Sequence, residues 1–322
     1  MLKQVKWGIL GYARIAKTSV IPGILKSDNA ALYAIASSDA DKRKECSELY
    51  PETIVYESYE ALLDDADVAA VYIPLPNSMH KEWATRAMSK GKHVLCEKPI
   101  ALNSEECSEM LEAAERYGVI LMEAFMYRYT DRIRRVQEVL ASGELGQVRY
   151  VQSTFRFLLN RPNTIKVQPE LGGGSLYDVG CYPVNFVGMV TGQMPQSCVV
   201  QTVMDNGVDV LFSAVLRYPD GTVASINSGF NAFGQLNSEI VGTLGRIDIP
   251  DTFLGKAGSF TVTTESGVRY IEVEESDRYA LEVTDFSAAV LEGRRPLCSL
   301  EETQRNMQVL DMLLAAMRGD EA

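Results

Sequence analysis

Histidine occurs only twice in the 322 residues, as His80 and His93. That scarcity excludes a His-rich metal centre and leaves open only a carboxylate site for a hard cation, so no metal is expected. The six cysteines (Cys46, Cys96, Cys107, Cys181, Cys198 and Cys298) stand singly. Without a Cys-x-x-Cys pair, neither a zinc site nor a redox motif is written. No stretch approaches 18 uncharged apolar residues, so no membrane span is expected. The opening "MLKQVKWGIL" enters a strand pattern without the order of a secretion signal. Reduced thiols and a cytoplasmic location are the expectation. Positive charge is also short, with 31 Lys and Arg against 43 Asp and Glu, a net charge of −12. No basic run compensates it, so neither nucleic acid nor a membrane surface is an expected partner.

What is present reads as an ordinary globular chain, 46% apolar and 23% charged. Its length suits two domains. Up to about residue 125, short apolar runs alternate with helical patterns. "VKWGIL", "LYAIAS", "TIVY", "VAAVYI", "HVLCE" and "VILMEA" read as strands. This alternation predicts a doubly wound parallel sheet over residues 1–125. After residue 126 the rhythm changes to longer alternating runs, with turn signals at Pro219-Asp220-Gly221 and Ser266-Gly267. Residues 126–322 therefore read as a second α/β domain built on a mostly antiparallel meander. Amphipathic helices close the chain at "ALEVTDFSAAVLEG" and "SLEETQRNMQVLDMLLAAMRG".

"VKWGILGYARIA" places a glycine turn between the first strand and a helix. Read as a dinucleotide fingerprint, it makes Gly11 the turn. The amides of Tyr12, Ala13, Arg14 and Ile15 then approach a pyrophosphate at the helix N-terminus. Ala13 departs from the pattern, which prefers glycine there. The bland alternative is a plain strand-to-helix turn. At the end of the second strand, "AIASSDADKR" offers the Ser37 hydroxyl with Lys42 and Arg43 one turn on. Hydroxyl and cations suit the 2′-phosphate of NADP rather than NAD. Alternatively, Asp39 is a helix N-cap and the two cations are solvated.

The segment "HVLCEKPIAL" poses a different question: why Glu97 and Lys98 end an apolar strand just before Pro99. Either the strand end is solvated, or a cleft requires that ammonium. At this triplet the chain closely resembles the glucose–fructose oxidoreductase/inositol dehydrogenase (Gfo/Idh/MocA) family. "ALLDDADVAAVYIPLPNSMH", "GELGQVRYVQSTF", "ELGGGSLYDVGCYP" and "GTLGRIDIP" extend the likeness over essentially the whole chain. The resemblance implies a Rossmann domain followed by an α/β domain. The large open sheet of that second domain forms the homodimer or homotetramer interface in many members. It also implies that Lys98 reaches the nicotinamide and the substrate carbon, with a Lys–Pro bond that is often cis. Asp178 and Tyr182 complete the catalytic set, four residues apart and on one helix face. The family's common form has histidine where Tyr182 stands, so tyrosine points to the dihydrodiol and sugar dehydrogenase branch. Pro183 lacks the N–H that would return to Val179, and a kink is expected there.

The chemistry wants these groups. Hydride transfer between nicotinamide and a carbinol leaves a proton on oxygen to be moved. A phenol with pKa about 10 is a poor base at neutral pH, and an ammonium roughly 4–6 Å away lowers it by about 1–3 units. The resemblance implies Tyr182 as the acid–base residue acting on a sugar, cyclitol or related diol, and the ammonium of Lys98 is expected to assist it. The resemblance also implies that the loop with Pro74, Asn77 and His80 lies against the coenzyme, although Asn77 also suits a cap and His80 a first helical turn. Glu97 resembles the family's acid on the nicotinamide ribose, with a structural ion pair as the alternative. Arg156, Arg161 and Asn163 are candidates for lining the substrate pocket. The rival reading is a catalytically silent dinucleotide sensor of the same fold, in which the acid–base residue would serve no purpose.

Overall fold

The computed structural model describes residues 3–161 and 164–319, and the chain divides into two compact units. The first runs to Met126 and also takes in Asp277–Thr303; the second holds Tyr127–Ser276 and the chain from Gln304 on.

The first unit is a parallel sheet with crossover helices. In order come β1 (Val5–Leu10), α1 (Ile21–Lys26), β2 (Ala30–Ala36), α2 (Ala40–Leu49), β3 (Ile54–Tyr56) and α3 (Tyr59–Asp64). Then follow β4 (Ala70–Ile73), α4 (His80–Ser89), β5 (His93–Glu97), α5 (Ser104–Tyr117) and β6 (Leu121–Ala124). All six expected strands are present. They lie in the order β3-β2-β1-β4-β5-β6, every pair parallel. Every residue of β4 is buried, as a strand covered by helices on both faces requires. Helix ends follow local chemistry. Asp39, Ser58 and Asn103 each accept backbone N–H groups that α2, α3 and α5 leave unpaired.

The second unit carries α6 (Asp131–Ser142), β7 (Val148–Leu158) and α7 (Cys181–Thr191). Then come β8 (Ser197–Asp205), β9 (Val208–Arg217), β10 (Val223–Gly229), β11 (Asn231–Gln235), β12 (Ser238–Gly242), β13 (Gly245–Ile249), β14 (Gly258–Thr264) and β15 (Gly267–Val273). The strands form one sheet in the order β15-β14-β13-β12-β7-β10-β9-β8, with β11 also on β7. The expected hairpins at 219–221 and 266–267 are there. The meander is not sequential, however. β7, first in the chain, lies mid-sheet, parallel to β10 and antiparallel to β12. Exposure alternates over Ser197–Val203 of β8 and Phe212–Arg217 of β9, so Val199 and Val215, paired in register, are both exposed on one face. The opposite face is packed, with Cys198 Sγ against Met312 O.

Two helices complete the chain, α8 (Arg278–Glu292) and α9 (Leu300–Arg318). Helix α8 belongs to the first unit, not to the 126–322 half in which the sequence pattern sets it. The physical reason is the Trp7 side chain. It is fully buried, packs in a tilted arrangement on Phe286 at 5.1 Å between centroids and donates its indole N–H to Ser287 Oγ at 3.0 Å. Truncating Phe286 to alanine should therefore destabilise the first unit by about 3–5 kcal/mol. Urea unfolding followed by tryptophan fluorescence, from Trp7 and Trp83 of this unit, checks this; an unchanged midpoint would detach α8 from this unit.

Candidate functional site

In the first unit, candidate residues gather at the carboxyl ends of β1, β4 and β5, where the strand order reverses and open α/β sheets bind ligands. Gly11 follows β1 directly with φ +103°, a conformation that L side chains rarely adopt. A Cβ there would come within 2.9 Å of the Leu75 side chain and 3.3 Å of the Tyr59 hydroxyl. Glycine is thus required twice over, and the turn lies against the loop after β4. Tyr12 turns its ring into the interior, at 4% exposure, where burial raises its hydroxyl well above the usual range. It therefore offers a ligand its backbone alone. Ala13 and Ile15 are half-buried, and Arg14 is exposed at the first helical position. That arrangement leaves the helix N-terminus open to an anion.

At the end of β2, Ser37 is buried and its hydroxyl accepts from Asp39 N. Asp39 caps α2 through Asp41 N and Lys42 N, so the capping alternative describes this residue. Lys42 is exposed. Arg43, rather than Lys42, is tied to the strand end, donating from Nη1 to Ser37 O at 2.9 Å.

Pro74 is buried and Asn77 half-buried, opening a 3₁₀ turn before α4. His80 departs from expectation. It is fully buried, and its Nδ1 and Nε2 lie 2.9 Å from Pro99 O and Leu75 O. Both ring nitrogens are committed to backbone carbonyls, so the side chain is not available to a coenzyme. Two acceptors favour the imidazolium, but burial outweighs them and pulls the pKa down to about 4.

The Glu97–Lys98–Pro99 triplet is held at several points, and the Lys98–Pro99 peptide is cis. Tyr72, fully buried on β4, donates to Glu97 Oε1 at 2.5 Å. Ile100 N donates to Glu123 Oε1 at 3.1 Å. Two further buried carboxyls border this region, and sequence reasoning missed both. Glu123 on β6 has no exposed surface, and burial raises its pKa to about 8. Glu282 on α8, 1% exposed, is pushed well above the usual range by burial and then by Glu97. An acid inside the fully buried strand "LMEA" was the available signal for Glu123. Glu282, within a helical pattern, gave none.

In the second unit, Asp178 and Tyr182 lie on one helical run. A π-helical turn spans Leu176–Gly180, and α7 continues from Cys181. The expected break at Pro183 takes this form: the wide turn comes just before, and the proline falls in the first turn of α7. The start of the run is fixed by Asp209, a buried residue with no sequence signal. Its Oδ2 accepts from Ser175 Oγ at 2.6 Å and Leu176 N at 2.8 Å. Gly174, at φ +118°, lies so close to Asp209 that any Cβ would collide with its carboxylate. Lys166, also unanticipated, forms an ion pair with Asp178 and sits 5.6 Å over the Phe157 ring. Tyr182, 6% exposed, has its ring among Tyr127, Phe155 and Phe253 at 5.2–5.8 Å between centroids.

The pocket candidates fare unevenly. Phe155 and Phe157 project on the face of β7 that carries Tyr182 and Lys166; Arg156 projects on the other. There its guanidinium bonds Asn227 Oδ1 at 3.1 Å and Gln235 Oε1. Arg156 is therefore corrected to a residue of the open sheet face. Arg161 is exposed, and Asn163 lies outside the described residues. Among the described residues, no cluster of three or more His, Cys, Asp or Glu could hold a metal ion. No helix among them is long and apolar enough to cross a membrane.

Comparison with known proteins finds two family matches. Residues 5–125 match an oxidoreductase family with an NAD-binding Rossmann fold, and residues 133–248 match the GFO/IDH/MocA C-terminal domain. A D-xylose 1-dehydrogenase (NADP(+)) from Haloferax volcanii is 37% identical over 95% of both chains. A trans-1,2-dihydrobenzene-1,2-diol dehydrogenase from Xenopus laevis is 30% identical over 96% of this chain and 97% of the relative. Among solved structures, KijD10, a 3-ketoreductase from Actinomadura kijaniata in complex with NADP and TDP-benzene, superposes with a TM-score of 0.91. It is 29% identical and covers 99% of this chain and 98% of its own.

The raised pKa of Glu123 makes a pH-dependent contribution to stability. The folded protein keeps a proton that the unfolded chain releases from about pH 4.5 upward. Stability therefore falls by about 1.4 kcal/mol per pH unit from this group until about pH 8, where the folded carboxyl ionises too. Glu123→Gln, which cannot ionise, should gain on the wild type between about pH 5 and about pH 8 in urea titrations. A constant difference across that range would assign Glu123 an ordinary pKa.

Proposed function

The chain belongs to the GFO/IDH/MocA oxidoreductase family, and from that premise we propose that it interconverts a carbinol and a carbonyl on a sugar, cyclitol or related diol with NADP as coenzyme. That it is an NAD(P)-dependent oxidoreductase follows from the family and from relatives that are dehydrogenases and reductases. The reading beyond this rests chiefly on one observation. The chain joins the Glu97–Lys98–Pro99 triplet to Asp178 and Tyr182 within a family match that spans both of its units.

The residues suit the coenzyme. Gly11 keeps a cradle that any Cβ would fill, and the helix from Arg14 presents its N-terminus to the pyrophosphate. Glu97 takes the nicotinamide ribose. Ser37 and Arg43, with Lys42, face the 2′-phosphate, and the xylose dehydrogenase and ketoreductase relatives that use or bind NADP support this choice. When bound, the coenzyme supplies or accepts the hydride. Tyr182 takes the proton from the substrate hydroxyl in oxidation and returns it in reduction. Lys98 favours the phenolate by charge and polarises the substrate oxygen. Asp178, paired with Lys166, orients a substrate hydroxyl.

The chain is further proposed to form a homodimer or homotetramer through the open sheet face. Val199, Val203 and Val215 are exposed there, at 68%, 48% and 50%, an apolar stripe that favours burial. Sedimentation velocity should find an oligomer in the wild type and a monomer in Val215→Glu; a monomeric wild type rules the interface out.

Kinetics test the chemistry. Tyr182→Phe should lower kcat by about 10²–10⁴-fold while NADP binding, followed by fluorescence titration, persists. Near-normal turnover would remove Tyr182 from the mechanism. The same assays should show higher kcat/KM with NADP than NAD, and Arg43→Ala should cut that preference by about 10- to 100-fold. A wild type that prefers NAD overturns the coenzyme assignment.

A further inference from the structure

The chain leaving β5 is gripped from both neighbouring strands. From the β4 side, His80 at the start of α4 sets Nδ1 2.9 Å from Pro99 O. From the β6 side, Glu123 accepts from Ile100 N at 3.1 Å. The carbonyl and the N–H belong to one peptide group, and both side chains have no exposed surface. Burying two ionisable groups for one peptide is costly, and apolar residues would fill the space at lower cost. Neither side chain reaches solvent, and the mechanism assigns neither a chemical step.

We infer that His80 and Glu123 are positioning residues for Lys98, fixing the Pro99–Ile100 peptide and through it the direction in which the lysine leaves the strand. The pyrrolidine ring locks φ of Pro99. The two hydrogen bonds hold its ψ, so the backbone from the Lys98 carbonyl to Ile100 has no soft torsion left. His80 also sets Nε2 against Leu75 O. Leu75 is the residue that a Cβ on Gly11 would strike, so one ring ties the lysine segment to the coenzyme turn.

This inference rests on the role proposed for Lys98, and the test separates the two. Four variants are compared with Lys98→Met, each checked for folding by circular dichroism and thermal unfolding. The amide nitrogen of His80→Asn falls near Nδ1 and keeps the Pro99 bond, whereas that of His80→Gln falls near Nε2, beside Leu75 O, and leaves Pro99 O without its donor. Glu123→Gln keeps an acceptor for Ile100 N; Glu123→Met, of similar size, does not. The expected result is a fall in kcat on the order of 100-fold for His80→Gln and Glu123→Met, with His80→Asn and Glu123→Gln retained to within about tenfold. NADP affinity should be held throughout.

A purely space-filling role predicts no such ordering, and equal or reversed effects within the pairs overturn the inference. If His80→Gln and Glu123→Met do not fold, the other two decide. A loss beyond about tenfold in both His80→Asn and Glu123→Gln overturns it, because each keeps its bond to the peptide. Near-normal turnover in Lys98→Met would instead sink the mechanism on which the inference stands.

Discussion

A single peptide group, the one joining Pro99 to Ile100, concentrates the physics of the first unit. Its carbonyl faces a histidine ring and its N–H a carboxyl, both far from water. In bulk solvent either bond would be replaceable at little net cost. In a dry interior, leaving a donor or acceptor unmet costs about 1–3 kcal/mol, so the arrangement is difficult to vary. The neighbouring groups follow the same rule. Glu97 has the Tyr72 hydroxyl at 2.5 Å, and the Tyr72 phenol is driven well above its usual range by burial and then by Glu97. The phenol therefore stays protonated and remains a donor.

Desolvation acts in opposite directions on the two residues that grip this peptide. It lowers the imidazole to about 4 and raises the carboxyl to about 8. Near neutral pH both prefer to be uncharged. A neutral imidazole donates only one N–H, yet His80 faces two carbonyls at equal distance. The hold on the Pro99 carbonyl requires that N–H to sit on Nδ1, and the Nε2 contact with Leu75 O is then a nitrogen lone pair against an oxygen. The fold accepts that penalty at the point where the lysine segment meets the Gly11 turn, and violations of packing rules tend to accompany function.

Much of the first unit was legible in the sequence because its rules are local. Alternating strand and helix periods predicted the sheet, and a glycine directly after the first strand marked the turn that φ +103° requires. Long-range packing was not legible. Nothing in "ALEVTDFSAAVLEG" shows that Trp7 is its partner, so α8 was assigned to the second half of the chain. Asp209 lies 33 residues along the chain from Leu176, whose N–H it accepts, and no motif links the two. His80 was misjudged for a related reason: its place at the start of a helix was readable, but its burial was not. Arg156 is different. The alternation of "VQSTFRF" already sets Phe155 and Phe157 on one face and Arg156 on the other. Period two, applied strictly, would have kept the arginine off the Tyr182 side.

The second unit fixes its catalytic candidates by other means than the first. Around Lys98, buried side chains reach in to hold a strand end. Around Asp178 and Tyr182, the helix is anchored at its start by Asp209, widened by a π turn, and flanked by aromatic rings. A π turn adds a residue to one helical turn and so rotates everything after it. Asp178 lies within that turn and Tyr182 just beyond it, so their relative direction depends on the widening and not only on the four-residue spacing. The proline that cannot return a bond to Val179 makes a regular α-helix unfavourable there, and the π turn is the backbone's accommodation. The direction of the tyrosine is thereby encoded in the residue that follows it in the chain, and Phe155, Tyr127 and Phe253 then hold the ring where the helix delivers it.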